Sequence, residues 1–572
     1  IGSTVNTNVE YGSVFAVSGG SATFDSGDIW DGVVGIERGT LTLNDANKSL
    51  DGSFVQVGGT TTITGSNFSM ANALDEVSGG ILNIGTTANP ANLTVKNGAI
   101  TQDATVNFAE NSTINLNSGN VSLNVGDTWA GNIDVSGGTL NVNNLPKTGT
   151  LTQTDGTLNV TGQRFDLNNT NDSLDGGTIN VGNGSTTSKL NVSKGTITTS
   201  STVNLTNKST LNLSGGNVTL DVDDTIDGNV NVTSGSLSLV GITKSKDTLF
   251  TQTDGSTTVT GKSFDLNNEN DYFAGGELTI GNGINASKMS VSQGAIADTK
   301  VNIKEHSSLE VNGGIVDITS VSTWDGTINI TEGTLTLDNV TKNSTANFAQ
   351  SGGKTTVIGN GLDLDNTEDI VSGGTFNIGN KTTQTEVSVS QGYIESDAIV
   401  NINRNGKLSV SGGEVNLDAG DTWTGDLNVT DGILTITDIS KNSSAKFTQT
   451  GGTTSISSQN FVLNNESDKI SGGTLNIENG TNFEISKGLV EGGARVNLDN
   501  NTTTTVSGGG LTLDNTDTWN GNVHNTGGSL ALVGINHKNG VFTQTKGGTT
   551  VTETGFDLNN RADQITGGVV NV

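Results

Sequence analysis

The chain repeats itself on two scales, and this recurrence limits its fold more than any other feature. A small or polar residue, one or two glycines and then an alternating x-Φ-x-Φ stretch (Φ, apolar) run from end to end. Examples are SGGTLNV at 136–142, SGGTFNI at 372–378 and SGGTLNI at 471–477. The glycine before the alternating stretch falls at 20, 39, 59, 80 and 98 and keeps the same stride to 568. It occurs 29 times at a mean step of about 19.6 residues. Periods of this length are the mark of stacked repeat architectures.

A longer period groups these steps in fives. Trp30, Trp129, Trp324, Trp423 and Trp519 share a D/S-x-W-x-G context, with Ile226 in the remaining place, at intervals of 99, 97, 98, 99 and 96. Phe54, Leu151, Phe250, Phe348, Phe447 and Phe542 keep the same ruler, as do Phe68, Phe165, Phe264, Leu362, Phe461 and Phe556. About six copies of a unit near 98 residues follow, each of five steps.

Alternation over four to six residues, rich in Thr, Val and Ile, marks half-buried strands, and no helical period is sustained. A strand needs partners, and the matching pattern is the next repeat of itself. Stacking equivalent strands gives parallel sheets, so the sequence predicts an all-β, right-handed parallel β-helix, a β-solenoid. The expectation is about 29 rungs of about 20 residues in one continuous segment over 1–572, internal to a longer chain. The glycines are expected at corners, apolar residues alone at inward positions, and Asn ladders at repeated corners. The step from Gly473 to Gly488 is 15, where 177→195, 276→294 and 374→392 are 18, which places a deletion-tolerant surface loop at the Gly184–Lys189 type segment.

Composition fits this reading. At 31% hydrophobic and 4% aromatic the chain is too polar for an ordinary core of 572 residues, but a narrow inner column needs few apolar side chains. Its 80 glycines would otherwise suggest a disordered, low-complexity chain, yet disorder imposes no fixed register of apolar pairs. The absence of cysteine excludes disulfides, thiol catalysis and Cys-ligated metal. A net charge of −31 without a basic cluster argues against nucleic acid and anionic lipid as partners. No apolar run is long enough for a membrane-spanning helix, so this segment is expected not to insert in a membrane.

The stretches DTWAGNIDVSGGTLNV (127–142), STWDGTINITEGTLTL (322–337) and DTWTGDLNVTDGILTI (421–436) resemble the autotransporter-associated β-strand repeat. Here Trp holds an aromatic place where that family more often has Tyr, and Ile226 departs from it. The resemblance implies a passenger-type parallel β-helix on a Gram-negative surface, close in style to large repeat adhesins of the filamentous haemagglutinin kind. It places the chain outside the cell, on the bacterial surface.

No residues are assigned to catalysis, to a cofactor or to a metal. His306, His524 and His537 are too few and scattered for a triad or metal site, and near-uniform rungs leave no single-copy cluster for an enzyme. One acidic constellation recurs: Asp166 to Asp172, Asp265 to Asp271, Asp363 to Asp369, Asp557 to Asp563, and Asp468 alone after Val462. It reads either as an Asx-rich turn with solvated charge or as oxygen ligands for Ca²⁺. Outward Thr-x-Thr ranks such as TLTL at 334–337 raise an ice-binding surface, which IVDI, AIAD and EVNL on neighbouring rungs interrupt. The expected function is a non-enzymatic structural or adhesive rod, whose partners are a host-cell or matrix surface or neighbouring copies of itself. The alternative is a self-assembling, functional-amyloid-like fibre built by head-to-tail association.

Overall fold

Period-two alternation sends every second side chain inward. In the strand Asn132–Asn143, Ile133, Val135, Leu140 and Val142 are buried while Asp134 faces solvent. Gly138 bends that strand in the middle with φ +72°, and a Cβ there would land on the Gly119 carbonyl oxygen of the preceding coil. The strand thus turns a corner without ending. The structure is a computed structural model that describes residues 5–380, 382–553 and 556–572. Among the described residues there is no helix, and 57% of the chain is strand, wound as a right-handed parallel β-helix of about 27 turns.

The chain divides into two units, Ile1–Thr279 and Ile280–Val572. Each has three faces that the chain visits in fixed rotation. In the first unit one face stacks 14–17, 33–36, Ser53–Gln56, Glu76–Val77, Ala99–Ile100, Asn120–Leu123, 139–143, 157–161, Gly177–Val181, Ser201–Leu205 and Thr225–Ile226. Every pairing is parallel. A second stacks 21–25, 40–44, 60–64, Ile81–Ile84, Thr105–Phe108 and Thr128–Trp129. The third holds Asn8–Val9 and Ile29–Trp30, and further on Ala91–Val95, Thr113–Leu116 and 132–135.

Trp30, Trp129 and Ile226 therefore occupy three different faces. The second unit repeats the arrangement. Trp324 pairs back to Lys300–Ile303, Trp423 to Ile399–Ile402 and Trp519 to Arg495–Leu498, each on a face of its own. The super-repeat is not a whole number of coils. With 572 residues in about 27 turns a coil takes about 21 residues, so 98 residues make four coils and two further faces.

This corrects the expectation of 29 rungs. Gly39 stacks on Gly20, Gly59 on Gly39 and Gly80 on Gly59, but Gly98 packs against Met70 and Asp75 instead. Once per super-repeat the glycine motif reappears two faces on rather than a full coil on. The count of motifs thus overstates the count of turns.

The three apolar markers meet in the core. Trp30 lies 6.0 Å from Phe54 and 5.6 Å from Phe68, and Trp423 lies 5.7 Å from Phe447 and 6.0 Å from Phe461. Each indole N–H is satisfied by a nearby carbonyl, Gly131 O for Trp129 at 3.0 Å and Gly425 O for Trp423 at 3.1 Å. The core is nonetheless not purely apolar, contrary to expectation. Gln56, Gln153, Gln252, Gln350, Gln449 and Gln544 are fully buried two residues after the second marker. They stay because they cap the glycine corners: Gln350 Nε2 donates to Gly373 O at 3.0 Å and to Thr375 O at 3.1 Å in the next coil.

Candidate functional site

In each super-repeat the side chains with most chemical potential gather beneath the tryptophan. Lys147 pairs in register with Trp129 one coil earlier, as Lys48 does with Trp30, Lys244 with Ile226, Lys342 with Trp324 and Lys441 with Trp423. Each lysine turns inward to a buried aspartate: Lys48–Asp75 at 3.0 Å, Lys147–Asp172 at 2.5 Å, Lys244–Asp271 at 2.8 Å, Lys342–Asp369 at 3.0 Å and Lys441–Asp468 at 3.0 Å. In the last super-repeat His537 takes the lysine's place, with Nε2 3.3 Å from Asp563 and its ring 5.1 Å from that of Trp519.

The aspartate is positioned by a four-residue Asx turn. In Asn169–Asp172 the Asn169 Oδ1 accepts the Asn171 N–H at 3.0 Å, and Asp172 Oδ2 accepts the Asn169 N–H at 2.9 Å. Asp172 Oδ1 then reaches into the preceding coil and accepts the Leu151 N–H at 2.8 Å. One carboxylate thus closes its own turn, clamps the backbone of the preceding coil and neutralises a lysine. The lysine is held from its other side by a carbonyl, Gly149 O at 3.1 Å for Lys147 and Ala445 O at 2.9 Å for Lys441.

A second set of Asx turns ends in aspartates with no lysine. Asp224 accepts N–H groups from Val203 at 2.6 Å and Asp221 at 2.7 Å, and Asp421 accepts those of Val400 at 2.7 Å and Asp418 at 2.8 Å. Asp517 does the same for Val496 and Asp514. Burial pushes Asp224, Asp421 and Asp517 up to about 6, opposed at Asp517 by Arg495, and it also raises Asp127. Among the paired groups, burial pulls Lys147 and Lys441 down against the hold of Asp172 and Asp468. It pushes Asp75 and Asp369 up, opposed by Lys48 and Lys342.

The acidic constellation is thereby resolved. Asp172 points inward, fully engaged, and its charge is not solvated as the Asx-turn reading had it. Asp166 points outward, where Arg164 Nε donates to it at 3.2 Å and Asn191 caps it from the next coil. Asp363 likewise faces outward and accepts from Ser390 Oγ at 2.9 Å. The two carboxylates of the pattern therefore lie on opposite sides of the wall and do not converge on one ion. Among the described residues no group of three His, Asp or Glu is placed to hold a metal.

The histidines stand apart. His306 occupies an exposed turn with φ +63°, and His524 is half-buried beside Thr543, its imidazole pulled down by desolvation. His537 is the one buried beside a carboxylate, that of Asp563.

Outside, polar ladders run along the faces rather than at the corners. Asn159, Asn180 and Asn204 each donate to the amide oxygen of the preceding coil, at 2.8, 2.8 and 2.9 Å, starting from Asn141. Asn212 and Asn231 continue from Asn191 at 2.7 and 2.9 Å on another face. Flat strand centres bring identical side chains into register at the inter-strand spacing, whereas corners are occupied by glycine. In the Gly184–Lys189 type segment residues 184–187 are exposed, whereas Ser188 is buried and opens the next strand. A surface notch of about 330 Å³ lies among Glu386, Arg404, Lys407 and Asp426, where Lys407 is tied to Glu386 at 2.8 Å.

No family model and no curated protein matches the chain.

Proposed function

We propose that the chain is a non-enzymatic, extracellular structural and adhesive element displayed on a bacterial surface, as an autotransporter-like passenger or stalk. What supports the reading is the direction in which its chemistry points. The buried Lys and Asp groups are used to fasten one coil to the next, and the outward faces carry repeated Asn, Thr and Ser ladders. A surface of that kind suits shallow, repeated contacts with a host-cell or matrix surface. The net charge of −31 keeps such a surface soluble and deters side-by-side association.

The test is made in two steps. Antibody labelling of intact producing cells should find the chain outside, and beads coated with the purified chain should adhere to host cells or matrix where uncoated beads do not. A chain confined to the cytoplasmic fraction, or coated beads that adhere no better than bare ones, would overturn the proposal. End-to-end filaments of the purified chain in electron microscopy would move the reading to a self-assembling fibre.

A further inference from the structure

The five buried lysine–aspartate pairs share one plan, but the second unit holds one that differs. Lys342 Nζ lies 3.0 Å from Asp369 Oδ2 and 2.5 Å from Asp365 Oδ1. Both Lys342 and Asp369 are buried, whereas Asp365 is about a quarter exposed, at 24%. In three of the four sister pairs the place of Asp365 is held by an amide, Asn168 beside Lys147, Asn267 beside Lys244 and Asn464 beside Lys441, and in the fourth it is Ala71. Lys342 therefore faces one buried carboxyl and a second that can carry protons to and from it.

We propose that Lys342 and Asp369 are a self-crosslinking site, where the lysine amine condenses with the aspartate carboxyl to form an intramolecular isopeptide bond. Asp365 first removes a proton from Nζ and passes it to Asp369 Oδ2. The free amine then attacks Cγ of Asp369, forming the C–N bond. The Phe348 N–H, 2.7 Å from Oδ1, stabilises the negative charge that develops there. Asp365 moves a second proton from the nitrogen to Oδ2, and the C–Oδ2 bond breaks with loss of water. Nζ keeps one hydrogen, Asp365 ends as it began, and no oxidant or cofactor enters.

The surroundings favour the step. Trp324 pairs in register with Lys342, and Phe348 lies 6.0 Å from Trp324 and 6.1 Å from Phe376, which places the pair beside an apolar cluster. Burial raises the Asp369 carboxyl toward its neutral, electrophilic form. The Ala346 carbonyl, 2.8 Å from Nζ, and the Asn366 N–H, 3.0 Å from Oδ2, hold nucleophile and leaving oxygen in place.

The experiment is the intact mass of the purified, folded chain, followed by peptide mapping. The expected result is a mass lower than the sequence by one water, with a single branched peptide joining Lys342 to Asp369. Asp365→Asn should restore the full mass and leave both peptides linear. It should fold, because asparagine fills that place in three sister pairs. Recovery of both peptides as linear species from the unmodified chain would overturn the proposal. So would a bond that persists in Asp365→Asn, one made to Asp365 itself, or an equal bond between Lys441 and Asp468.

Discussion

Lys147 and Asp172 stand twenty-five residues apart in the chain and 2.5 Å apart in space, with no part of either side chain reaching solvent. Such a pair is weak evidence of net stabilisation, since taking two charges out of water costs about as much as their attraction returns. Its effect is on register: only the coil in which the aspartate meets its lysine leaves no charge unpaired.

The first prediction follows. Lys147→Met should destabilise the fold by about 3–5 kcal/mol, because Asp172 is left buried without its counter-charge. Adding Asp172→Asn should recover a large part of the loss. Melting temperatures of the single and double variants decide it, and equal losses in both would show that the two side chains are not coupled.

Acidity should stabilise this chain over a range in which many proteins are indifferent. Asp224, Asp421 and Asp517 have carboxyls raised from 3.8 to about 6. A folded value above the unfolded one means that the folded state binds the proton more tightly. Stability therefore rises as pH falls through about 6, and the gain is complete below the unfolded value. Melting temperature should be higher at pH 5 than at pH 7.5, and replacing all three by Asn should flatten the difference. A melting temperature that falls on acidification from 7.5 to 5 would contradict the assignment.

Inward and outward positions of one strand should respond oppositely. Leu335 is buried and Thr336, its neighbour, faces out opposite Asp317. Leu335→Asp places an unpaired carboxyl in the core and should cost several kcal/mol. Thr336→Asn extends the polar ladder and should stay within about 0.5 kcal/mol of the parent. Similar shifts in thermal unfolding for both would reverse the in–out phase.

The corner glycines are not equivalent. Gly432 has φ +78°, and a Cβ there would strike the Gly413 carbonyl oxygen, whereas nothing lies within 4 Å of a Cβ on Gly548. Gly432→Ala should cost at least about 1–2 kcal/mol from the left-handed backbone alone. Gly548→Ala should be close to neutral. Denaturant midpoints separate the two, and equal midpoints would mean that the corner relaxes freely.

The sequence made the strands, their parallel stacking and the buried tryptophans readable, because period-two alternation and repeated apolar markers report directly on burial. It made the charge pairs hard to see. Lys147 sits in NNLPKTG and Lys342 in NVTKNST, polar strings that read as loop, and nothing local says that the side chain turns inward. The signal was there at longer range: lysine follows the Trp/Ile marker by 18 residues in five super-repeats, 30→48, 129→147, 226→244, 324→342 and 423→441. The motif count exceeds the number of coils for a related reason. A motif tells where a face begins but not which face, and the shorter steps 80→98 and 177→195 were the places where it changed.

Because each super-repeat ends two faces beyond a whole coil, neighbouring copies within either unit are related by a screw. The operation is a rotation of a third of a turn together with an advance of about 22 Å, taking about 4.8 Å per coil. Near-identical segments consequently never lie directly above one another, which removes the most tempting partner for a slipped pairing. Within a unit, any feature carried once per copy is presented in three directions in succession. Loss or gain of a single copy would swing the later coils of its own unit by a third of a turn, and only a change of three copies at once would leave their original facing intact.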